Sequence, residues 1–400
     1  MNTKLRKPNN KKPSGWKITL TVLLSLILIA ALFTGGYILR SMFVKPQPGG
    51  DKDDETLYTG SETTAAAETE EDTPETNGDT AVGFKRREDV YNFLLIGKDE
   101  VATNTDVMII ASFDCTTGKI SMCQMPRDTY AEYNDKYGKL NAAFASFLSK
   151  AKREKAEDPT KTALENLSDL FQKGLNIRLD YYMLINLKGF RAVVDRIGGV
   201  DMYVPNDMHY NDPEQNLSIN IKKGQQTLMG REAEGFVRYR WGYIQADIAR
   251  ADAQKVFITA FIAKVKSSIS IPMIAGLASD ILPNLITNIK LEDCIYFAKQ
   301  ALKVDMSNIT MLTMPGDSYK NGLYYVMHRA DMLNIVNEYL NVYDKPIPSS
   351  YFDVDRIFVK DDNSEIIGYY NKKETEIVTH KADDVDKDGI YIALDPNKRP

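Results

Sequence analysis

VYNFLLIGKDEVATNTDVMIIASFDCTTGKISMCQ, residues 90–124, is the stretch that decides the fold class. VYNFLLIGKDE is a strand-like apolar run that stops in a turn. TDVMIIASFD (105–114) and ISMCQ (120–124) are two further apolar strands on either side of CTTGK, whose glycine marks a hairpin. Downstream, helical patterns at 141–155 and 162–173 lead to the strand YYMLINL (181–187), the helix KGFRAVVDRIGG (188–199) and the strand VDMYVP (200–205). EGFVRYR (234–240) reads as another strand, followed by a long amphipathic helix from about Asp247 to Lys266 and a helical region through Lys303. NITMLTMPGD (308–317) reads as a strand and RADMLNIVNEYLN (329–341) as a closing helix. Strands alternating with helices predict a layered α/β domain, placed at 84–346. From 347 to 400 short strand-like pieces between acidic or Asn-containing turns predict a small β-rich appendage.

On the other side of the opening stretch the chain changes character. Residues 1–17 carry Lys4, Arg6, Lys7, Lys11, Lys12 and Lys17 and no acidic residue, and an uncharged apolar run follows from Ile18 to Leu39. At ~1.5 Å per residue that run spans roughly 33 Å, enough for a hydrocarbon core of about 30 Å and longer than a secretory h-region requires. The expectation is one transmembrane helix at 18–40. The lysine excess before it puts the N-terminus in the cytoplasm and everything beyond Arg40 outside the cell. Residues 41–83, which include GSETTAAAETEEDTPETNGDT, offer few large apolar side chains against the entropy of ordering and read as a flexible acidic linker.

Composition narrows the chemistry. The formal net charge is −5, which argues against nucleic acid as a partner, and three cysteines in 400 residues do not make a disulfide scaffold. Three scattered histidines (His209, His328, His380) supply no zinc motif, and neither a G-x-S-x-G nor a P-loop pattern occurs. Arginine is what the chain does offer. Arg238 and Arg240, two apart in a strand, point to one face, while Asp247, Arg250 and Gln254 at i, i+3, i+7 share a face of the following helix. Arg127, after a strand and a proline, can join them from a neighbouring strand end. A guanidinium makes paired hydrogen bonds to phosphate oxygens and keeps its charge at any relevant pH, so such a cluster suits a pyrophosphate. Asp99 and Asp106 flank a short turn and can share a magnesium ion, which asks for only one or two carboxylates besides water and phosphate; turn and strand-cap aspartates are the plainer reading. In DVDKDG, Asp384, Asp386 and Asp388 have calcium-loop spacing with Gly389 at the turn, although flanking helices are missing.

The segments FLLIGKD, TDVMIIASFD, MPRDTY, KLNAAFA, RIGGVDMYVP, GQQTLMGREAEGFVRYR and ADIARADAQ resemble, in order, the LytR-CpsA-Psr family. The likeness runs from about Tyr91 to Lys266 and more weakly to about Pro346. It implies an α/β/α sandwich with a mixed central sheet, holding a polyprenyl-pyrophosphate lipid with its tail in an apolar tunnel. It further implies that Asp99 and Asp106 sit on the metal side, with Mg2+ or another divalent cation, and that Arg127, Arg238, Arg240 and Arg250 clamp the pyrophosphate. Asp247 then orients an arginine or accepts a proton, and Gln254 contacts the substrate. Phe144, Phe147 and Leu148 match the start of the tunnel lining, or serve as ordinary core. Two positions depart from the family pattern: Asn104 and Ala253 stand where arginines are usual, and Lys98 can supply some of the missing charge.

The activity so implied is transfer of a glycopolymer, with its phosphate, from a polyprenyl-pyrophosphate carrier to a peptidoglycan hydroxyl at the outer face of the cytoplasmic membrane. Two alternatives use the same residues: a membrane-tethered binder or regulator that recognises lipid-linked glycans without turnover, and a polyprenyl-pyrophosphate hydrolase with water as acceptor.

Overall fold

The computed structural model describes residues 37–38, 40–47, 84–98, 103–213, 217–239, 246–268, 281, 285–319, 322–352, 354 and 379–382, with the backbone alone for 246–252. The opening stretch forms a three-stranded meander, β1 (Val90–Lys98), β2 (Thr105–Asp114) and β3 (Lys119–Gln124), paired antiparallel in sequence order. The β2–β3 turn is built locally. The Asp114 carboxylate accepts from the Thr116 and Thr117 amides at 3.0 and 2.9 Å, and Gly118 closes the turn at φ +68°, a conformation that costs glycine little.

Beyond the meander come β4 (Tyr130–Tyr133) and β5 (Lys136–Lys139), then α1 (Ala143–Arg153), α2 (Pro159–Leu175), β6 (Tyr181–Asn186), α3 (Leu187–Arg196) and β7 (Val200–Val204). Helix α2 starts where the sequence provides for it: the Asp158 carboxylate accepts from the Thr160 and Lys161 amides, and Pro159 occupies the first turn. Next are β8 (Met208–Asp212), β9 (Leu217–Ile221), β10 (Gly224–Leu228), α4 (Gly230–Arg238) and α5 (Ala246–Ser268). The described chain continues through β11 (Leu285–Thr287), α6 (Leu291–Ala301), β12 (Ile309–Thr313), β13 (Gly316–Tyr319), β14 (Tyr324–Met327), α7 (Arg329–Ile335) and β15 (Thr379–Lys381).

Seven strands make the central sheet in the order β11-β6-β1-β2-β3-β12-β15. It is mixed: β1–β6 and β3–β12 are parallel and the other neighbours antiparallel. Alternation along the strands divides the apolar side chains between two cores. Leu94, Ile96, Met108, Ile110 and Cys123 face α1, α2 and α7, while Tyr91, Phe113 and Tyr181 face α3, α4, α5 and α6. The result is the expected helix–sheet–helix sandwich. Phe144, Phe147 and Leu148, at helical spacing on α1, are buried in the first core.

One element differs from its reading. EGFVRYR is not a strand: Gly230–Arg238 is a helix, and the chain turns extended only at Tyr239. Phe236–Tyr239 has the aromatic and β-branched content of a strand, but Ala233 and Phe236 are buried one helical turn apart, and that packing wins.

Both ends of the described chain lie against the domain. Tyr37 donates to Glu292 at 2.9 Å, Lys299 donates to the Met42 carbonyl at 3.1 Å and lies 3.5 Å over the Phe43 ring, and Lys45 pairs with Asp89 at 2.8 Å. Ile347, Phe352 and Val354 belong to the first core, and β15 is an edge strand of the central sheet, so the described parts of 347–400 belong to the main body. No helix among the described residues is long and apolar enough to cross a membrane; all but 37, 38 and 40 of the run at 18–40 fall outside them, as do Asp384, Asp386 and Asp388.

Candidate active site

The ends of β1 and β3 and the start of β2 lie at one end of the central strands. There Asp106 opens β2, and Arg127 follows β3 in the turn that leads to β4. Arg127 Nη1 is 3.0 Å from Asp106 Oδ1, with both side chains partly exposed. Asp128 lies beside Arg127 Nε at 3.8 Å and also holds Lys139 at 3.1 Å. The loop at 127–129 is fixed by its backbone as well. The Arg127 and Thr129 carbonyls accept from the Asn141 and Leu140 amides at 2.9 and 2.8 Å, and the Asp128 carbonyl from the Tyr325 amide at 2.9 Å.

Arg238 ends α4. Its Nη1 is 2.8 Å from Glu234 Oε1, one helical turn back, and Arg191 of α3 reaches Glu234 Oε2 at 2.6 Å. A carboxylate only 8% exposed thus sits between two guanidiniums. Gln254 of α5 joins the two halves: it accepts from Gln124 Nε2 at 3.0 Å and donates to the Val237 carbonyl at 3.3 Å. Gln124 stands three residues before Arg127 and Val237 one before Arg238, so both arginines flank one bridge between the sheet and the helical layer.

Of the residues expected from sequence, Asp106 and Arg127 are in contact, and Gln254 ties the end of β3 to the helix turn that carries Arg238. Gln254 is buried, its amide engaged by the sheet and by α4. Asp247 and Arg250 fall in the first turns of α5, where the backbone alone is described, and Asp99 and Arg240 lie outside the described residues. Ala253 packs into the second core, so that position carries no cation into the site. Reading the sequence alone missed Glu234, Arg191 and Gln124. The i, i+4 spacing of Glu234 and Arg238 becomes a signal once 230–238 is taken as helical.

The carboxylate of Asp106 meets the minimal demand of a divalent cation. One oxygen is held by Arg127, and the other has no protein partner among the described residues. No group of three or more potential metal ligands occurs among those residues. Thiolate chemistry is disfavoured, because burial pushes the Cys123 thiol, next to Gln124, up to about 12.

A family model described as the LytR_cpsA_psr family matches residues 56–341, well over half of the chain. The chain belongs to that family. Among relatives of this LytR_cpsA_psr chain is a protein of Bacillus subtilis named polyisoprenyl-teichoic acid–peptidoglycan teichoic acid transferase TagV, 28% identical over 55% of this chain and 56% of its own length. The protein of Bacillus cereus named TagU, with the same descriptive name, is 28% identical over 67% of this chain and 84% of its own. The chain therefore spans little more than half of the first relative and most of the second. The crystal structure of B. subtilis TagV superposes with a TM-score of 0.50 at 24% identity, covering 62% of this chain and 95% of that one. The Streptococcus agalactiae protein gbs0355 superposes with a TM-score of 0.51 at 20% identity, over 72% and 90%. These two likenesses establish the α/β fold.

Proposed function

We propose that this LytR_cpsA_psr protein is a phosphotransferase at the outer face of the cytoplasmic membrane, moving a glycopolymer with its phosphate from a polyprenyl-pyrophosphate carrier to a peptidoglycan hydroxyl. The observation that carries the reading is Arg127, braced by Asp106 at the end of the central strands within the segment matched to the family. The names of the relatives TagV and TagU support the same class of donor and acceptor.

In this reading Arg127 and Arg238 bind the pyrophosphate oxygens. The acceptor hydroxyl attacks the sugar-side phosphorus; the new P–O bond forms as the bond to the polyprenyl phosphate breaks, and the two guanidiniums offset the charge that grows on the departing phosphate. Asp106 and Glu234 hold those guanidiniums in place, so little reorganisation is left for the reaction itself. Arg240 and Arg250 extend the clamp, Gln254 keeps α4 and α5 registered on the sheet, and Asp247 orients an arginine or takes the proton of the hydroxyl. Asp106, with Asp99, is the place for a magnesium ion, which when bound would supply further positive charge to the phosphates. The run at 18–40 is the anchor that keeps the domain beside its lipid-linked donor.

The test uses the full chain in detergent with a polyprenyl-pyrophosphate oligosaccharide and peptidoglycan fragments, with and without magnesium, beside Arg127→Ala and Arg238→Ala. Mass spectrometry is expected to find a phosphodiester-linked product that needs magnesium and falls by about a hundredfold or more in each variant. Free oligosaccharide phosphate in its place would make the protein a hydrolase. Donor bound tightly but left intact would make it a binder, with Asn104 the first residue to change.

A further inference from the structure

Directly after Arg127 the chain builds a small aromatic surface that phosphate chemistry does not use. Strands β4 and β5 form a hairpin whose tip, Asn134-Asp135, has both residues at positive φ (51° and 57°), as a tight two-residue turn requires. Alternation puts Tyr130, Glu132, Tyr137 and Lys139 on one face, with Tyr137 opposite Glu132 and Lys139 opposite Tyr130. The Tyr130 and Tyr137 rings stack at 5.8 Å and 18°, and the Tyr324 ring, from β14, meets Tyr130 edge-on at 4.8 Å. Tyr130 and Tyr324 are partly buried against the first core, whereas Tyr137 is 57% exposed.

The hairpin that carries the platform rises directly from the loop that carries Arg127. Its foot is the Arg127–Thr129 loop, bonded to the base of β5 through Leu140 and Asn141 and to β14 through Tyr325. The hydroxyl of Tyr137 and the carboxylate of Glu132 have no protein partner among the described residues. An exposed flat ring, an unengaged hydroxyl and an unengaged carboxylate next to one another match the two sides of a pyranose. Its C–H face carries partial positive charge and lies well on the negative face of an aromatic ring, while its hydroxyls want an acceptor at the rim. Glu132 disfavours an anionic polymer, and the polar rim disfavours an isoprenoid tail.

We infer that the Tyr130–Tyr137–Tyr324 platform, with Glu132, is the subsite for a neutral sugar ring of the acceptor glycan strand, set beside Arg127 so that a hydroxyl of that strand reaches the phosphorus. The inference rests on the transferase reading for the word acceptor, but not for the binding itself. A strand of the wall is too long to be enclosed, and a platform open on one side accepts it from any point along its length. The sugar is positioned by ring stacking, and the phosphate by guanidinium.

A tetramer of β-1,4-linked N-acetylglucosamine, which has neither phosphate nor lipid, tests the site on the full chain by titration calorimetry, with farnesyl pyrophosphate as the probe of the arginine site. Tyr137→Ala is expected to weaken the tetramer by about five- to tenfold and leave farnesyl pyrophosphate binding unchanged, while Tyr137→Phe and Tyr137→Trp, which keep a ring, retain most of the affinity. In the transfer assay Tyr137→Ala should raise the KM for peptidoglycan fragments with little change in kcat. Tetramer binding that is absent, or equal in the wild type and Tyr137→Ala, overturns the inference. So does loss of farnesyl pyrophosphate binding in Tyr137→Ala, which would assign the platform to the lipid. If the tetramer binds through Tyr137 and no transfer occurs, the subsite stands and the transferase reading falls; if transfer proceeds with a KM indifferent to Tyr137, the reverse holds.

Discussion

Glu234 has the most consequential contacts of any single side chain near the site. Its carboxylate is almost wholly removed from water and lies 2.6 Å from Arg191 and 2.8 Å from Arg238, so it offsets part of the charge of both guanidiniums. Replacing it with the isosteric Glu234→Gln keeps the shape but sets two cations beside a neutral amide. Breaking a buried pair from one side leaves charge uncompensated, at a cost moderated here by the partial exposure of both arginines. The variant is expected to lose about 1–3 kcal/mol in urea unfolding and to transfer more slowly through a lower kcat, because Arg238 loses its charged brace on α4. An unchanged unfolding midpoint would mean that the pair adds nothing to the fold. None of this was legible while 234–240 was read as a strand. In that reading Arg238 is paired in direction with Arg240, and Glu234 becomes a face-mate with no assigned partner.

At the scale of elements, the segment at 40–47 is the informative one. Composition makes everything from 41 to 83 a free spacer, yet its first residues lie on α6 and the start of β1 through the Lys299–Met42 bond, the Lys299–Phe43 ring contact and the Lys45–Asp89 pair. Lysine over an aromatic face adds a modest attraction at an exposed site, and the three contacts act on one short segment. Lys299→Ala should release it, seen as faster amide exchange and earlier proteolytic cleavage at 40–47, with the rest of the domain unaltered. Exchange there identical to the wild type would show that the remaining contacts suffice. Other elements needed no tertiary information. Asp158-Pro159 starts α2, Gly118 closes the β2–β3 hairpin, and the helix expected at Asp247–Lys266 is found at Ala246–Ser268, although it is not the amphipathic helix expected, because five successive residues, Ala253–Phe257, are buried all round it.

At the scale of the whole molecule, the described residues centre on a mixed seven-stranded sheet between two helical layers, and two main cores take up most of their buried apolar side chains. Ile347, Phe352 and Val354 are fully buried in the first core, at about 1.5–3 kcal/mol for each side chain kept from water. A chain ending after Pro346 forfeits all three, together with β15 on the edge of β12, against a total stability of only about 5–15 kcal/mol for a domain. It should therefore lose cooperative thermal unfolding or melt far below the full chain; an unchanged Tm would make the stretch from Ile347 an optional addition after all. The sequence by itself determined the layered α/β class, the strands of the meander, the capped helices, the family and the arginines and aspartates worth naming. Each of these depends on backbone preference or side-chain period over a few neighbouring residues. Only the tertiary structure decided that Asp106 braces Arg127, that Glu234 joins Arg191 to Arg238, that Gln254 spans sheet and helix, and that residues 347–354 fill the core. The hydrogen bonds among them link positions between 4 and 130 residues apart in the chain, and they exist only where strand register and helix packing bring distant surfaces within a few ångströms.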